Sequence, residues 1–183
     1  MMEAQLILLA KKGNKQAFAH LMEAYAKKVY YAAFSFLKNT EDAADISQDV
    51  FLKAYTKIGT FDESYSFFPW IYKITKNLCL NRLKKAENNN SSLPEYEFII
   101  SKYKEPDSSL LDKENIRNLK AAINKLAENH KEIIFLKHFD ECSYAEISEI
   151  LDIPPGTVMS RLYNARKKLR DILEEQEREN GVQ

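Results

Sequence analysis

Glycine and proline are scarce, with four and five in 183 residues. So few turn-forming residues suit a chain of helices better than a sheet protein with many tight turns. Two cysteines, Cys79 and Cys142, do not make a disulfide framework. With His20, His130 and His138 they show no zinc-ligand spacing. No apolar stretch approaches the ~18–20 residues that cross a bilayer, and the run Leu6–Ala10 is too short for a signal-peptide core. A cytoplasmic protein is expected. A glycine-rich phosphate loop, a nucleophile elbow and an H-E-x-x-H pair are all missing. Nothing reads as catalytic, and no cofactor, metal or small-molecule substrate is expected. Net charge is lacking too: 27 bases face 27 acids. Bulk charge therefore says nothing for nucleic acid, but its distribution does. Bases gather at 73–85 and 156–170, and acids gather at 171–179. Such segregation fits salt-sensitive DNA binding.

The most informative stretch runs from Ser143 to Leu169. Its first half is apolar at Ile147, Ile150 and Leu151. Asp152-Ile153-Pro154-Pro155-Gly156 then ends that helix, because proline lacks an N–H and restricts the residue before it. Pro155 suits the opening position of the next helix. Val158, Leu162, Ala165 and Leu169 form one face of that second helix at 100° per residue. Ser160, Tyr163, Asn164 and Lys167 lie opposite, flanked by Met159, Arg161, Lys168 and Arg170. From Gly156 to Arg170 there are five bases and no acid. A basic surface helix would explain the charge alone. Turn chemistry, missing acids and outward base-reading groups together favour a helix-turn-helix that enters the major groove.

Toward the N-terminus, Leu6, Leu9 and Ala10 form one apolar stripe, and Ala17, Phe18, Leu21, Tyr25, Val29 and Ala32 another, with a break at Gly13-Asn14. Thr40 is the expected N-cap of a third helix. In that helix Ala43, Ile46, Val50, Phe51 and Ala54 face inward. Asp42, Asp45 and Asp49 line the outer face with Gln48, either as a solvated face or as a docking surface. Residues 59–70 hold Phe61, Tyr65, Phe67, Phe68 and Trp70, interleaved with Asp62, Glu63, Ser64 and Ser66. Such aromatics are usually core. Beside a helix carrying Lys73, Lys76 and Asn77, and apolar at Ile71, Ile74 and Leu78, they also fit a stacking platform for single-stranded nucleic acid. The Asn/Ser-rich stretch that begins at Glu87 reads as a boundary. Beyond it, Leu119, Ile123 and Leu126, then Ile133, Ile134 and Leu136, supply a small core beneath the helix-turn-helix. The expectation is an all-α chain of two small helical domains, 1–86 and 110–175, joined by a flexible linker, 87–109, and ending in an acidic tail, 176–183.

DAADISQDVFLKAY, FDESYSFFPWIYKITKNLCLNRLKK and SYAEISEILDIPPGTVMSRLYNARKKL, in this order, resemble the extracytoplasmic-function (ECF) group of bacterial sigma factors within the sigma-70 family. The resemblance spans roughly residues 3–86 and 110–173. It implies a non-enzymatic factor that binds core RNA polymerase and directs promoter recognition, melting and initiation. It places Asp42, Asp45, Gln48, Asp49 and Leu52 against the clamp helices of the largest polymerase subunit. Phe61, Tyr65, Ser66, Phe67, Phe68, Trp70, Lys73, Lys76 and Asn77 would capture the single-stranded minus-ten element, with a base flipped into a pocket of the loop. Thr157, Met159, Ser160, Arg161, Tyr163, Asn164, Arg166 and Lys167 would read the duplex minus-thirty-five element. The resemblance also implies an anti-sigma factor as a partner, often one held at the membrane.

This chain departs from the family pattern at four places. Asp152 stands where glycine is common, and aspartate tolerates positive φ better than most residues. Ala127 stands where proline is usual, which should shift a helix boundary. Met159 and Asn164 stand where bases are frequent, so no promoter sequence transfers. The rival readings are a helix-turn-helix regulator that binds DNA without core polymerase, and a helical docking adaptor.

Overall fold

The computed structural model describes residues 2–87 and 110–180. Among these are eight α-helices, one short 3-10 turn and no strand. The helices are α1 (Glu3–Lys11), α2 (Lys15–Leu37), α3 (Thr40–Lys57), α4 (Phe67–Glu87), α5 (Leu110–Asn124), α6 (Glu128–His138), α7 (Tyr144–Leu151) and α8 (Pro155–Asn180); the 3-10 turn Ile58–Thr60 follows α3. They form two compact units, Met1–Pro94 and Glu95–Gln183. The linker expected over 87–109 lies outside the described residues, apart from Glu87 at the end of α4.

Local chemistry sets the joints. Gly13, at φ 87, turns the chain out of α1, and the Asn14 side chain accepts the Ala17 N–H at 3.0 Å to start α2. The cap of α3 is Asn39 rather than Thr40: its Oδ1 accepts from the Glu41 and Asp42 N–H groups at 2.9 and 3.0 Å. A side-chain carbonyl at that place satisfies two otherwise orphaned donors, so Thr40 becomes the first helical residue. Glu41 and Asp42 in the first turn complement the helix dipole.

In the first unit, α2, α3 and α4 pack around Leu21, Val29, Phe34, Val50, Phe67, Phe68 and Ile71, all fully buried. Burying each of the larger side chains contributes about 1.5–3 kcal/mol before the entropy of ordering is charged against it. All five inward residues expected on α3 are buried. The stripe expected on α1 is turned by one position: Ile7 and Ala10 are buried, while Leu6 and Leu9 are half-buried. On α4 the buried row is Phe68, Ile71, Tyr72, Thr75 and Cys79, with Ile74 and Leu78 at its edge. Thr75 enters this core because its hydroxyl donates to the Ile71 carbonyl at 2.9 Å, satisfying the buried polar group inside its own helix.

In the second unit, Ile133 and Leu136 of α6, Ile147 and Ile150 of α7, and Val158, Leu162 and Ala165 of α8 are buried. Ala122, Leu126 and Ile172 form a cluster joined by Leu169 and Leu173. That apolar spacing carries the packed face of α8 past Leu169 to Leu173, and the helix itself runs on to Asn180, through 176, where a separate tail was expected to begin. Ala127 precedes α6 with φ −63 and ψ 148, an extended conformation that proline also adopts.

Candidate functional site

Three surfaces carry the residues singled out by sequence. On α3, Asp45, Gln48, Asp49 and Leu52 are exposed in successive turns, and Leu52 is 68% exposed despite being apolar. Gln48, Leu52 and Phe51 border a groove of about 510 Å³ whose other walls are Lys15, Phe18, Ala19, Met22 and Tyr55. Asp42, on the same stripe, is half-buried, and Arg82 of α4, forty residues later, donates to its carboxylate.

The aromatic segment divides in two. Phe61, Phe67 and Phe68 are 3%, 1% and 1% exposed. Phe61 meets Phe67 at 5.7 Å and Trp70 at 5.2 Å between ring centroids, and Tyr25 of α2 lies 5.2 Å from Phe67. Edge-to-face and tilted packing of this kind stabilises rings beyond their area burial. These three phenylalanines are core, and their faces are not free for a base. Their apolar rings turn inward while the acids between them turn out. Tyr65, 59% exposed, and Ser66 remain at the surface just ahead of α4. Asp62 Oδ1 accepts from the Ser64 N–H at 2.9 Å and from its hydroxyl at 2.8 Å, and these bonds hold the Asp62 carboxyl below its usual range. Along α4, Lys73 and Asn77 are exposed one turn apart. Lys76 is half-buried with its ammonium 5.9 Å over the Phe36 ring, and Trp70 is half-buried within the aromatic group.

The third surface is the outer face of α8. Ser143 and Glu146 form a reciprocal capping box at the start of α7, with bonds of 3.2 and 2.8 Å. Asp152 ends α7 in the left-handed region at φ 53, ψ 48, the conformation its side chain was expected to permit. The Ser148 hydroxyl donates to the Ile153 carbonyl at 2.6 Å across the turn. Pro155 then opens α8. Met159, Ser160, Tyr163, Asn164, Arg166 and Lys167 are exposed, while Thr157 and Arg161 are half-buried at the flanks. Arg166 is anchored: its Nε donates to His138 Nε2 at 3.3 Å, and a terminal nitrogen lies 3.2 Å away. Burial, Arg166 and Lys137 push the His138 imidazole below its usual value, which favours the neutral ring that accepts that bond. Asn164 and Lys167 share a cleft of about 470 Å³ with Lys125, Ala127, His130, Lys168 and Asp171. Periodicity within one helix does not show that Lys125, just past α5, and His130 of α6 join this face.

Among the described residues no group of three or more His, Cys, Asp or Glu could hold a metal ion. Cys79 and Cys142 are buried, and burial pushes the Cys79 thiol up to about 12. No described helix is long and apolar enough to cross a membrane.

Comparison with known proteins adds to this picture. Residues 21–89 match the family model described as Sigma-70 region 2, and residues 116–169 match that described as Sigma-70, region 4. The chain is 34% identical over 182 residues to the ECF RNA polymerase sigma factor SigW of Bacillus subtilis (strain 168), covering 94% of this chain and 97% of that protein. It is 27% identical over 181 residues to the RNA polymerase sigma-H factor of Pseudomonas aeruginosa, covering 94% of each. Its fold is similar to that of CnrH, solved in complex with the cytosolic domain of CnrY, with a TM-score of 0.70, 24% identity and coverage of 94% and 97%.

Proposed function

This chain belongs to the ECF group of RNA polymerase sigma factors in the sigma-70 family, and on that premise we propose how its surfaces divide the work of promoter recognition. The first unit binds core polymerase through Asp45, Gln48, Asp49 and Leu52. Carboxylates held on a rigid helix suit a basic partner surface, and exposed Leu52 supplies an apolar contact at its centre. The same unit takes the melted minus-ten strand on Tyr65 and Ser66, with Lys73 and Asn77 tracking the backbone and Trp70 and Lys76 at the edge. Phe61, Phe67 and Phe68 build the floor of this loop. Asp42 braces α3 through Arg82.

The second unit reads the duplex minus-thirty-five element with Met159, Ser160, Tyr163 and Asn164. Arg161, Arg166, Lys167 and Thr157 hold the helix on phosphates, which set register while base edges discriminate. Lys125, His130 and Lys168 extend this basic surface. The factor performs no catalysis of its own, acts in the cytoplasm, and is restrained by an anti-sigma factor that covers one or more of these surfaces. The observation that carries the reading is the split of exposed charge: an acidic strip on α3, and five bases without an acid from Gly156 to Arg170. Run-off transcription with purified core polymerase on a promoter library tests it. Enrichment of two spaced elements is expected. Transcripts that start without regard to sequence would overturn it.

A further inference from the structure

The loop that ends in Tyr65 and Ser66 is tied down by a residue fifty positions before Phe61 in the chain. Lys11, in the last turn of α1, donates from Nζ to the Phe61 carbonyl at 2.9 Å and lies 2.6 Å from Glu63 Oε1. The Lys11 side chain is 25% exposed and that of Glu63 43%, so the pair sits at the surface but is not wholly solvated. The Asp62–Ser64 bonds close the turn between these two anchor points, and the Tyr65 N–H donates to the Asp62 carbonyl at 3.2 Å. Below it, the Phe61 ring is fixed against Phe67 and Trp70. Residues 61–64 are thus held from above by one ammonium and from beneath by packed rings.

We infer that Lys11 is a positioning residue for capture of the melted strand. Resting on the assignment of Tyr65 and Ser66 to that strand, the inference has two physical parts. The first is preorganisation: a loop already in its bound shape pays less ordering entropy when the strand arrives. The second is charge. Asp62 and Glu63 place two carboxylates beside a surface that must accept a phosphodiester chain, and the Lys11 ammonium neutralises the nearer one. Without it, Glu63 repels the strand and the Phe61 carbonyl loses its donor.

The test uses core polymerase carrying the full chain and a fluorescent promoter whose minus-ten region is already single-stranded. Lys11→Met should weaken capture about fivefold, the scale of one charge-assisted surface contact. Lys11→Arg should restore it, because a guanidinium reaches both the carbonyl and the carboxylate. Adding Glu63→Gln to Lys11→Met should recover part of the loss, showing that the two side chains are coupled. Core affinity should stay at its wild-type value, and any fall in melting temperature should be no larger than that of one lost surface contact. If Lys11→Met captures the strand like wild type while Tyr65→Ala weakens it, Lys11 has no positioning role and the loop assignment stands. If neither variant weakens capture, the loop assignment falls and takes the inference with it. A loss in Lys11→Met that is matched by an equal loss of core affinity, or that Glu63→Gln does not relieve, would overturn it in favour of plain structural support.

Discussion

Reversing Asp45 and Asp49 together to lysine perturbs the surface assigned to core polymerase with little else disturbed. Both carboxylates are exposed and lie beyond the first turn of α3. They stand four residues apart, so each repels the other along the helix, and two lysines repel to the same degree. The fold should therefore change by no more than about 0.5 kcal/mol. Binding should change far more. Two unit charges at 4 Å interact by about 1 kcal/mol in bulk water and about 4 kcal/mol at an effective dielectric near 20. Taking the weaker figure, each reversal removes one attraction and adds one repulsion, and the pair costs about 4 kcal/mol. That is roughly a thousandfold in affinity. The assay is a fluorescence titration of labelled chain with core polymerase, with circular dichroism as the folding control. The loss should shrink as salt is raised. Asp42→Asn is the contrasting variant: it loses the Arg82 pair, costs at most about 1 kcal/mol of stability and leaves core affinity unchanged. Core affinity of the double variant within threefold of wild type would refute the docking argument and leave the strip as a solvated face.

Asn164→Arg should change which base pair is preferred in the upstream element by ~1–3 kcal/mol, since asparagine pairs with adenine and arginine with guanine, whereas Lys167→Ala should weaken all promoters alike and flatten the salt dependence. Transcription across upstream-element variants at two salt concentrations separates these outcomes. Ala127→Pro should stabilise the second unit by about 0.4–1 kcal/mol through the unfolded chain, because φ is already −63, and chemical denaturation reads the gain. For His138, the folded pKa lies below the usual 6.5, so the unfolded chain binds this proton first as pH falls. Its contribution to stability is full above 6.5 and is lost as pH drops through 6.5 toward the lowered value. His138→Gln can still accept from Arg166 without titrating, and thermal melts over about pH 5 to 7.5 should show a shallower decline than wild type.

The sequence made much of this visible where one element contains its own signal. The Pro154-Pro155 turn, the opening of α8 at Pro155 and the buried row Val158, Leu162, Ala165 all follow from local stereochemistry and a 3.6-residue repeat. Asp152 in the left-handed region was readable for the same reason. Contacts between distant elements were not. Nothing near Asp42 announces Arg82, and nothing near Phe61 announces Lys11, because long flexible side chains find partners that only tertiary packing supplies. The aromatic segment shows how composition misleads: acids between phenylalanines suggested an exposed platform, yet the exposed run 62–66 lies between buried Phe61 and buried Phe67 and Phe68. His138 enters the sequence reading only as one of three histidines without zinc-ligand spacing, and its bond to Arg166 depends on the approach of α6 to α8.

The most direct measurement of the central claim is fluorescence anisotropy of a labelled duplex promoter with the chain alone, core polymerase alone, and the two together. The promoter is one selected from the library, and a copy with both elements scrambled is the comparison. The account predicts tight, sequence-selective binding only when both proteins are present, with the chain alone binding weakly and losing that binding as salt rises. Binding of the intact promoter by the chain alone, as tight and as selective as with core polymerase, would contradict it and make this a regulator that reads DNA unaided.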